Sequence, residues 1–131
     1  MQDMLTGLIW VALGSVIGGT ARFFVSGFVS RRVGETFPWG TMVVNVTGCF
    51  AIGILAAAAD KHVSFDAVEP WQFAVVGILG CYTTVSSFSL QTLALVRDRE
   101  LLLAGGNVLL SLAGCLLAVA LGHAAAAAAL G

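Results

Sequence analysis

A chain of 131 residues that is 59% hydrophobic and 10% charged, with a mean hydropathy of +0.99, is too apolar for a soluble domain and too short for a large transporter built from internal repeats. Its six Lys and Arg occur singly or in pairs and its net charge is −1, which excludes a basic surface for nucleic acid. These properties describe a small all-α protein embedded in a lipid bilayer, with four apolar spans in one domain over residues 1–131.

The N-terminus, MQDMLTGLIW, lacks the cationic start of a signal peptide and its apolar run continues too far for one, so the first span is expected to stay in the mature protein. That span covers residues 5–30. Ser15, Gly19, Arg22 and Ser26 recur along it at helical spacing and define a face turned toward other helices. Gly14 and Gly18 form a GxxxG pair that permits close helix approach. Arg22, near the far end, has two readings: a side chain that snorkels to the interface, or a buried cation that serves an anion or a helix end. The polar loop RRVGETFP follows. Pro38 is placed at the first position of the second helix, where its missing N–H costs nothing, with Trp39 at the membrane interface. The second span, residues 38–59, puts Thr41, Asn45 and Gly48 on one face. In a membrane Asn45 must find partners: either it joins two helices or its amide donors face a permeating anion.

Asp60 to Pro70 forms the other sizeable loop. Lys61 and His62 read there as solvated, and Pro70-Trp71 repeats the proline–tryptophan entry of the second span. The third span, residues 71–96, has 26 residues without formal charge. As one straight helix it would extend about 39 Å, more than a hydrocarbon core of about 30 Å. Its centre, GILGCYTTVSSFS (Gly77 to Ser89), predicts a helix broken in mid-membrane. Gly77 and Gly80 loosen the helix, Thr83 and Thr84 fit it poorly, and the hydroxyls of Ser86, Ser87 and Ser89 can satisfy backbone groups that a break releases. Such a break is tolerated only where it is buried in protein or lines a wet cavity, so it is itself a functional signal. After the turn RDRE, the fourth span, residues 101–123, carries Asn107, Ser111 and Cys115 along one track, and the alanines from Ala124 to Ala129 extend it as plain helix. Cys49, Cys81 and Cys115 lie in different spans without CxxC spacing and read as small hydrophobes, not as a zinc site or disulfide framework.

Apart from Arg22, no span carries an ionisable side chain near its middle, which removes the usual site for a proton or a cationic drug. What remains is a set of neutral donors: Thr41 and Asn45 on the second helix, the hydroxyl cluster and Gln91 on the third, Asn107 and Ser111 on the fourth. Repeated weak donors suit passive conduction of a small anion, which must be relieved of water at each site without being held. Phe88, projecting from the predicted break, either packs or presents the positive edge of its ring to an anion. No nucleophile–base pair or metal-ligand cluster points to an enzyme.

GGTAR (Gly18 to Arg22), PWGTMVVNVTG (Pro38 to Gly48) and GILGCYTTVSSFS resemble the signature regions of the CrcB/Fluc family of fluoride channels, and the four-span layout covers the whole chain. The resemblance implies a fluoride-selective channel that passively exports toxic fluoride across the inner (plasma) membrane, assembled as an antiparallel, dual-topology homodimer with two pores. It also implies a structural sodium ion, not transported, at the dimer centre on main-chain carbonyls, with Gly80 and Thr83 at the matching positions. Asn45 matches the pore asparagine and Phe88 the second of two pore phenylalanines. Many relatives read TTFSTF where this chain reads TTVSSF, so Val85 stands at the first phenylalanine position without a ring edge. Ser111 and Asn107 match a polar track on the fourth helix, with Asn107 where relatives can carry tyrosine, and Gln91 stands where some carry glutamate. With Thr41 and the hydroxyls of Thr84, Ser86 and Ser87, these residues make up the expected pore. Arg22 matches a first-helix arginine and carries a structural or vestibular role.

Arg31, Arg32, Arg97 and Arg99, joined by Arg22, fall on one side of the spans and Lys61 alone on the other, whereas a chain inserting both ways should balance them. Either local acids and short loops weaken the bias, or the chain pairs with an oppositely oriented partner of different sequence. Two other classes compete. A small four-helix multidrug-type exporter requires a membrane-embedded carboxylate, which the spans lack, and for a non-conducting membrane subunit a central polar break has no purpose.

Overall fold

The computed structural model describes residues 2–60 and 68–131, so Lys61 and His62 lie outside the described residues. Long runs of Leu, Ala, Val and Ile satisfy their backbone groups within helices, and no strand occurs among the described residues. The elements are α1 (Gln2–Val33), α2 (Trp39–Asp60), α3 (Val68–Trp71), a π-helical segment (Gln72–Leu79), α4 (Gly80–Tyr82), α5 (Val85–Arg97) and α6 (Leu101–Leu130). Among the described residues, four stretches are long and apolar enough to cross a membrane: Met4–Val33, Trp39–Asp60, Gln72–Arg97 and Leu101–Leu130.

The helix ends follow local chemistry. α1 runs through Arg31 and Arg32, which favour its negative C-terminal end, and stops where Gly34 takes a left-handed φ of 101° and its N–H bonds the Ser30 carbonyl at 2.9 Å. At the start of α2 the Pro38 carbonyl accepts the Met42 N–H at 3.1 Å. Pro38 is therefore the N-cap and not the first helical residue, because α2 begins at Trp39. The alanine run continues α6 to Leu130.

Small residues set the packing. Gly14 and Gly18 bring α1 against the backbone of the π-helical segment at Phe73, Gly77 and Ile78, so this GxxxG pair serves a contact within the chain. Gly53 meets Val119 and Gly122 meets Phe50 in the same manner, drawing α2 and α6 together. A Cβ at any of these glycines would collide with main-chain atoms. The core between the helices is thin, with Val44, Ala57 and Ala104 buried, while Phe23, Leu102 and Leu109 face outward, as suits lipid.

The third span changes winding three times. Its π-helical segment leads into the short α4. Thr83 (φ −77°, ψ 157°) and Thr84 (φ −151°, ψ 120°) are then extended before α5 begins at Val85. Thr84 caps α5: its hydroxyl accepts the Ser87 N–H at 3.2 Å.

Candidate functional site

The two extended residues leave backbone groups that α-helical geometry would have paired, and α2 supplies the partner. The Asn45 side-chain amide donates to the Thr84 carbonyl at 2.9 Å and accepts the Thr84 N–H at 2.7 Å. It thus pairs with Thr84 as a neighbouring β-strand would. This also takes the Thr84 N–H away from its helical acceptor, the Gly80 carbonyl one turn earlier. Asn45 therefore joins helices, and one of its two amide hydrogens remains for a further acceptor. The Thr84 hydroxyl lies 3.1 Å from Ser86 Oγ and donates to Ser87 Oγ at 3.2 Å. Hydroxyls and the first N–H groups of α5, at Val85 and Ser86, thereby gather at the positive end of a helix.

Two cavities meet at this junction. One, of about 350 Å³, is the more polar and is lined by Arg22, Ser26, Thr41, Thr84 and Ser87 together with Phe23 and Val44. The other, of about 530 Å³, is a mainly apolar groove whose wall includes Asn45, Gly80, Thr83, Phe88 and Ser111. Thr84 is buried and lines both, so it forms the partition between them. Arg22 is half-buried and reaches inward, where its Nη1 donates to the Thr83 carbonyl at 3.4 Å.

Most of the residues singled out in the sequence converge here: Thr41, Ser87 and Arg22 in the polar cavity, Asn45, Phe88, Ser111, Gly80 and Thr83 in the groove, and Thr84 in both. Gln91 is exposed and Asn107 is 1% exposed, and neither lines either cavity. Asn107 instead donates to Thr92 Oγ1 at 2.8 Å and accepts from Ser111 Oγ at 3.3 Å, while Thr92 donates to the Phe88 carbonyl at 2.7 Å. Thr92 escaped the sequence reading. Its only signal is its place four residues after Phe88, where a hydroxyl can bond back to the preceding turn. The cysteines are part-buried and free, and Cys49 and Cys115 line the groove.

For a hard monovalent cation, the neutral donors fit in kind. The Gly80 carbonyl has lost its usual N–H partner, and the extended Thr83 turns its carbonyl out of the helical line. The Thr83 oxygen already accepts from Arg22 and has one lone pair left for a cation. No cluster of three His, Cys, Asp or Glu that could hold a metal exists among the described residues.

Residues 9–123 match the sequence profile of the family described as CrcB-like protein, Camphor Resistance (CrcB). The chain is similar to a protein of Rhodopseudomonas palustris named fluoride-specific ion channel FluC 2, at 64% identity over 96% of this chain and 97% of the relative. It is similar to a second of the same name from Bradyrhizobium diazoefficiens, at 59% identity over 91% of this chain and 88% of the relative. A fluoride-specific ion channel FluC of Methylocella silvestris is 48% identical over 92% of each chain. With signature stretches, helical layout and near full-length similarity in agreement, the chain belongs to the CrcB family.

Proposed function

We propose that this protein is a fluoride-selective channel that lets fluoride leave the cytoplasm passively across the inner membrane. The observation that carries the reading is the Asn45–Thr84 pairing, which holds open an interruption where a polar and an apolar cavity meet. Fluoride is small and strongly hydrated, so a path for it must replace water with many donors, none of which binds too tightly. Arg22 draws anions into the polar cavity, where the hydroxyls of Ser26, Thr41 and Ser87 stand in for water. Past Thr84, the remaining Asn45 N–H, the α5 N-terminus, the edge of Phe88 and the Ser111 hydroxyl line the onward path. Asn107 supports this path from behind through Thr92 and Ser111, while Gln91, on the exposed side of α5, lies outside both cavities.

In this reading the interruption of the third span lies in mid-membrane, and an antiparallel second copy covers the groove to make a dual-topology homodimer. Sodium, where the two copies meet, would be held by the Gly80 and Thr83 carbonyls of each and would supply a fixed positive charge between the paths. The names of the relatives support fluoride as the ion. A multidrug-type exporter is disfavoured because, among the described residues, the carboxylates lie at helix ends or in turns, as Asp60 does at the end of α2. The test is ion efflux from liposomes containing the purified protein. Fluoride should leave much faster than chloride, with no dependence on a proton gradient; equal rates for both ions, or flux that stops when the proton gradient is collapsed, would overturn the proposal. Sodium-free buffer should weaken the dimer, and a dimer indifferent to sodium would reject that ion while leaving conduction standing.

A further inference from the structure

Asn45 and Arg22 hold the interruption at Thr84 and Thr83, and its upstream side has a separate tie to a neighbouring helix. Tyr82, the last residue of α4 and the only tyrosine of the chain, has its hydroxyl 2.9 Å from Thr47 Oγ1 on α2. The Thr47 hydroxyl donates within its own helix, where the Val43 carbonyl lies at 2.7 Å and the Val44 carbonyl at 3.2 Å. The phenol is therefore the donor of the pair and Thr47 the acceptor. Gly48 makes room beside them: a Cβ there would collide with the Thr83 methyl and stand 3.4 Å from the Tyr82 ring. Asn45, Thr47 and Gly48, within one turn of α2, thus receive Thr84, Tyr82 and Thr83. Neither Tyr82 nor Thr47 lines a cavity, so the proposed path makes no direct use of them.

We infer that Tyr82 is a positioning residue: its hydrogen bond to Thr47 sets the rotation of α4, and with it the wall of the groove along which the anion passes. The effect on passage rests on the conduction reading, whereas the tie itself does not. α4 is three residues long and ends at the extended Thr83, so no following turn holds its angle. Gly80 and Tyr82 are two residues apart, about 200° around the helix axis. With Gly80 in the groove wall, Tyr82 points to the opposite side of α4, where Thr47 meets it. A rotation that carried the ring off Thr47 would swing Gly80 through the same angle and displace Thr83, which also lines the groove. Thr47 is exposed, but within a bilayer no water competes for the phenol, so the hydrogen bond keeps its hold there. A phenylalanine would retain the ring contact beside Gly48 and lose the direction that the hydrogen bond imposes.

The experiment compares the full-length wild type with Tyr82→Phe, which keeps the ring, and Thr47→Val, which keeps the shape of the acceptor. Fluoride efflux from liposomes at matched protein density should fall about two- to fivefold in each, within the worth of one hydrogen bond. The double variant should fall no further, since either change already removes the pair. Thr47→Ser, which returns the hydroxyl, should restore wild-type efflux. A readout independent of conduction is the fluorine NMR spectrum of protein labelled with fluorotyrosine, in which Tyr82 supplies the one signal. That signal should be single in the wild type, shifted and broadened in Thr47→Val, and recovered in Thr47→Ser. Wild-type efflux from folded Tyr82→Phe or Thr47→Val, losses that add in the double variant, or a fluorine signal indifferent to Thr47→Val would each overturn the role. Equal losses from Thr47→Val and Thr47→Ser would assign Thr47 to packing and overturn it as well. Fluoride retained by the wild type under every condition, with the fluorine signal moving as expected, would refute the conduction reading and support the tie between Tyr82 and Thr47.

Discussion

Asn45→Leu perturbs the junction with little change in side-chain size and removes both hydrogen bonds to Thr84, at 2.9 and 2.7 Å. Thr84 is 7% exposed, so water cannot easily replace them. A buried polar group left unpaired costs about 1–3 kcal/mol, or about 2–6 kcal/mol for the N–H and carbonyl together. The Thr84 N–H has one recourse, the Gly80 carbonyl a turn earlier, and taking it would draw Thr83 and Thr84 into a continuous helix. The partition between the two cavities would then be lost. A shift of about 2.8 kcal/mol toward the continuous helix lowers the ratio of interrupted to continuous form about a hundredfold. Fluoride efflux from liposomes at matched protein density should fall as the continuous form gains population, by up to about that factor, with the protein still monodisperse in size-exclusion chromatography. Asn45→Asp should also lower efflux, because it keeps an acceptor for the Thr84 N–H but sets an oxygen against the Thr84 carbonyl and repels anions. Wild-type efflux from folded Asn45→Leu would refute the claim that this pairing maintains the path.

Three further outcomes are expected. Phe88→Ile should lower fluoride efflux without changing the size-exclusion profile, whereas Val85→Ala should change it little and Val85→Phe should be tolerated, since Val85 is 76% exposed and offers an anion no polarity to lose; the same liposome assay decides. Thr92→Val should cost about 1–3 kcal/mol in detergent unfolding, because it strands the buried Asn107 amide, and Thr92→Ser should restore most of it by returning the hydroxyl. Gly18→Ala should destabilise by about 1–3 kcal/mol, since the new methyl meets the Ile78 backbone, while Gly19→Ala, with nothing within 4 Å of its Cβ position, should be neutral in the same unfolding experiment.

The four membrane-crossing helices were legible because apolar runs separated by RRVGETFP, the Asp60–Pro70 stretch and RDRE leave few other ways to satisfy the backbone in lipid. Their ends were less so: α1 continues past Ser30 until Gly34, since Arg31 and Arg32 are good helix formers at a C-terminus. The polar residues could be named, but their partners could not. Asn45 and Thr84 are 39 positions apart, and the choice between joining helices and facing an anion depends on where α2 is carried. Helical spacing put Asn107 and Ser111 on one face. It could not reveal that α5 covers Asn107 through Thr92 while Ser111 borders the groove. Gly14 and Gly18 announced a close approach without naming the surface approached. The wide winding of QFAVVGIL had no signal, because an almost uniformly apolar stretch has no period to distort.

That wide winding bears on tolerance to changes in chain length. In a π-helix each hydrogen bond spans one more residue than in an α-helix, and the Gly80 N–H at its end is shared between the Gly77 and Val75 carbonyls. The segment thus holds slack that can be taken up or paid out by rewinding. A residue lost from Gln72–Leu79 tightens a turn and leaves Thr83 and Thr84 at the level of Asn45. The same loss in α2 between Trp39 and Asn45 would swing the asparagine about 100° around its axis, out of reach of Thr84. Length variation among related chains should accordingly gather just before Gly80 and be absent from the first half of α2.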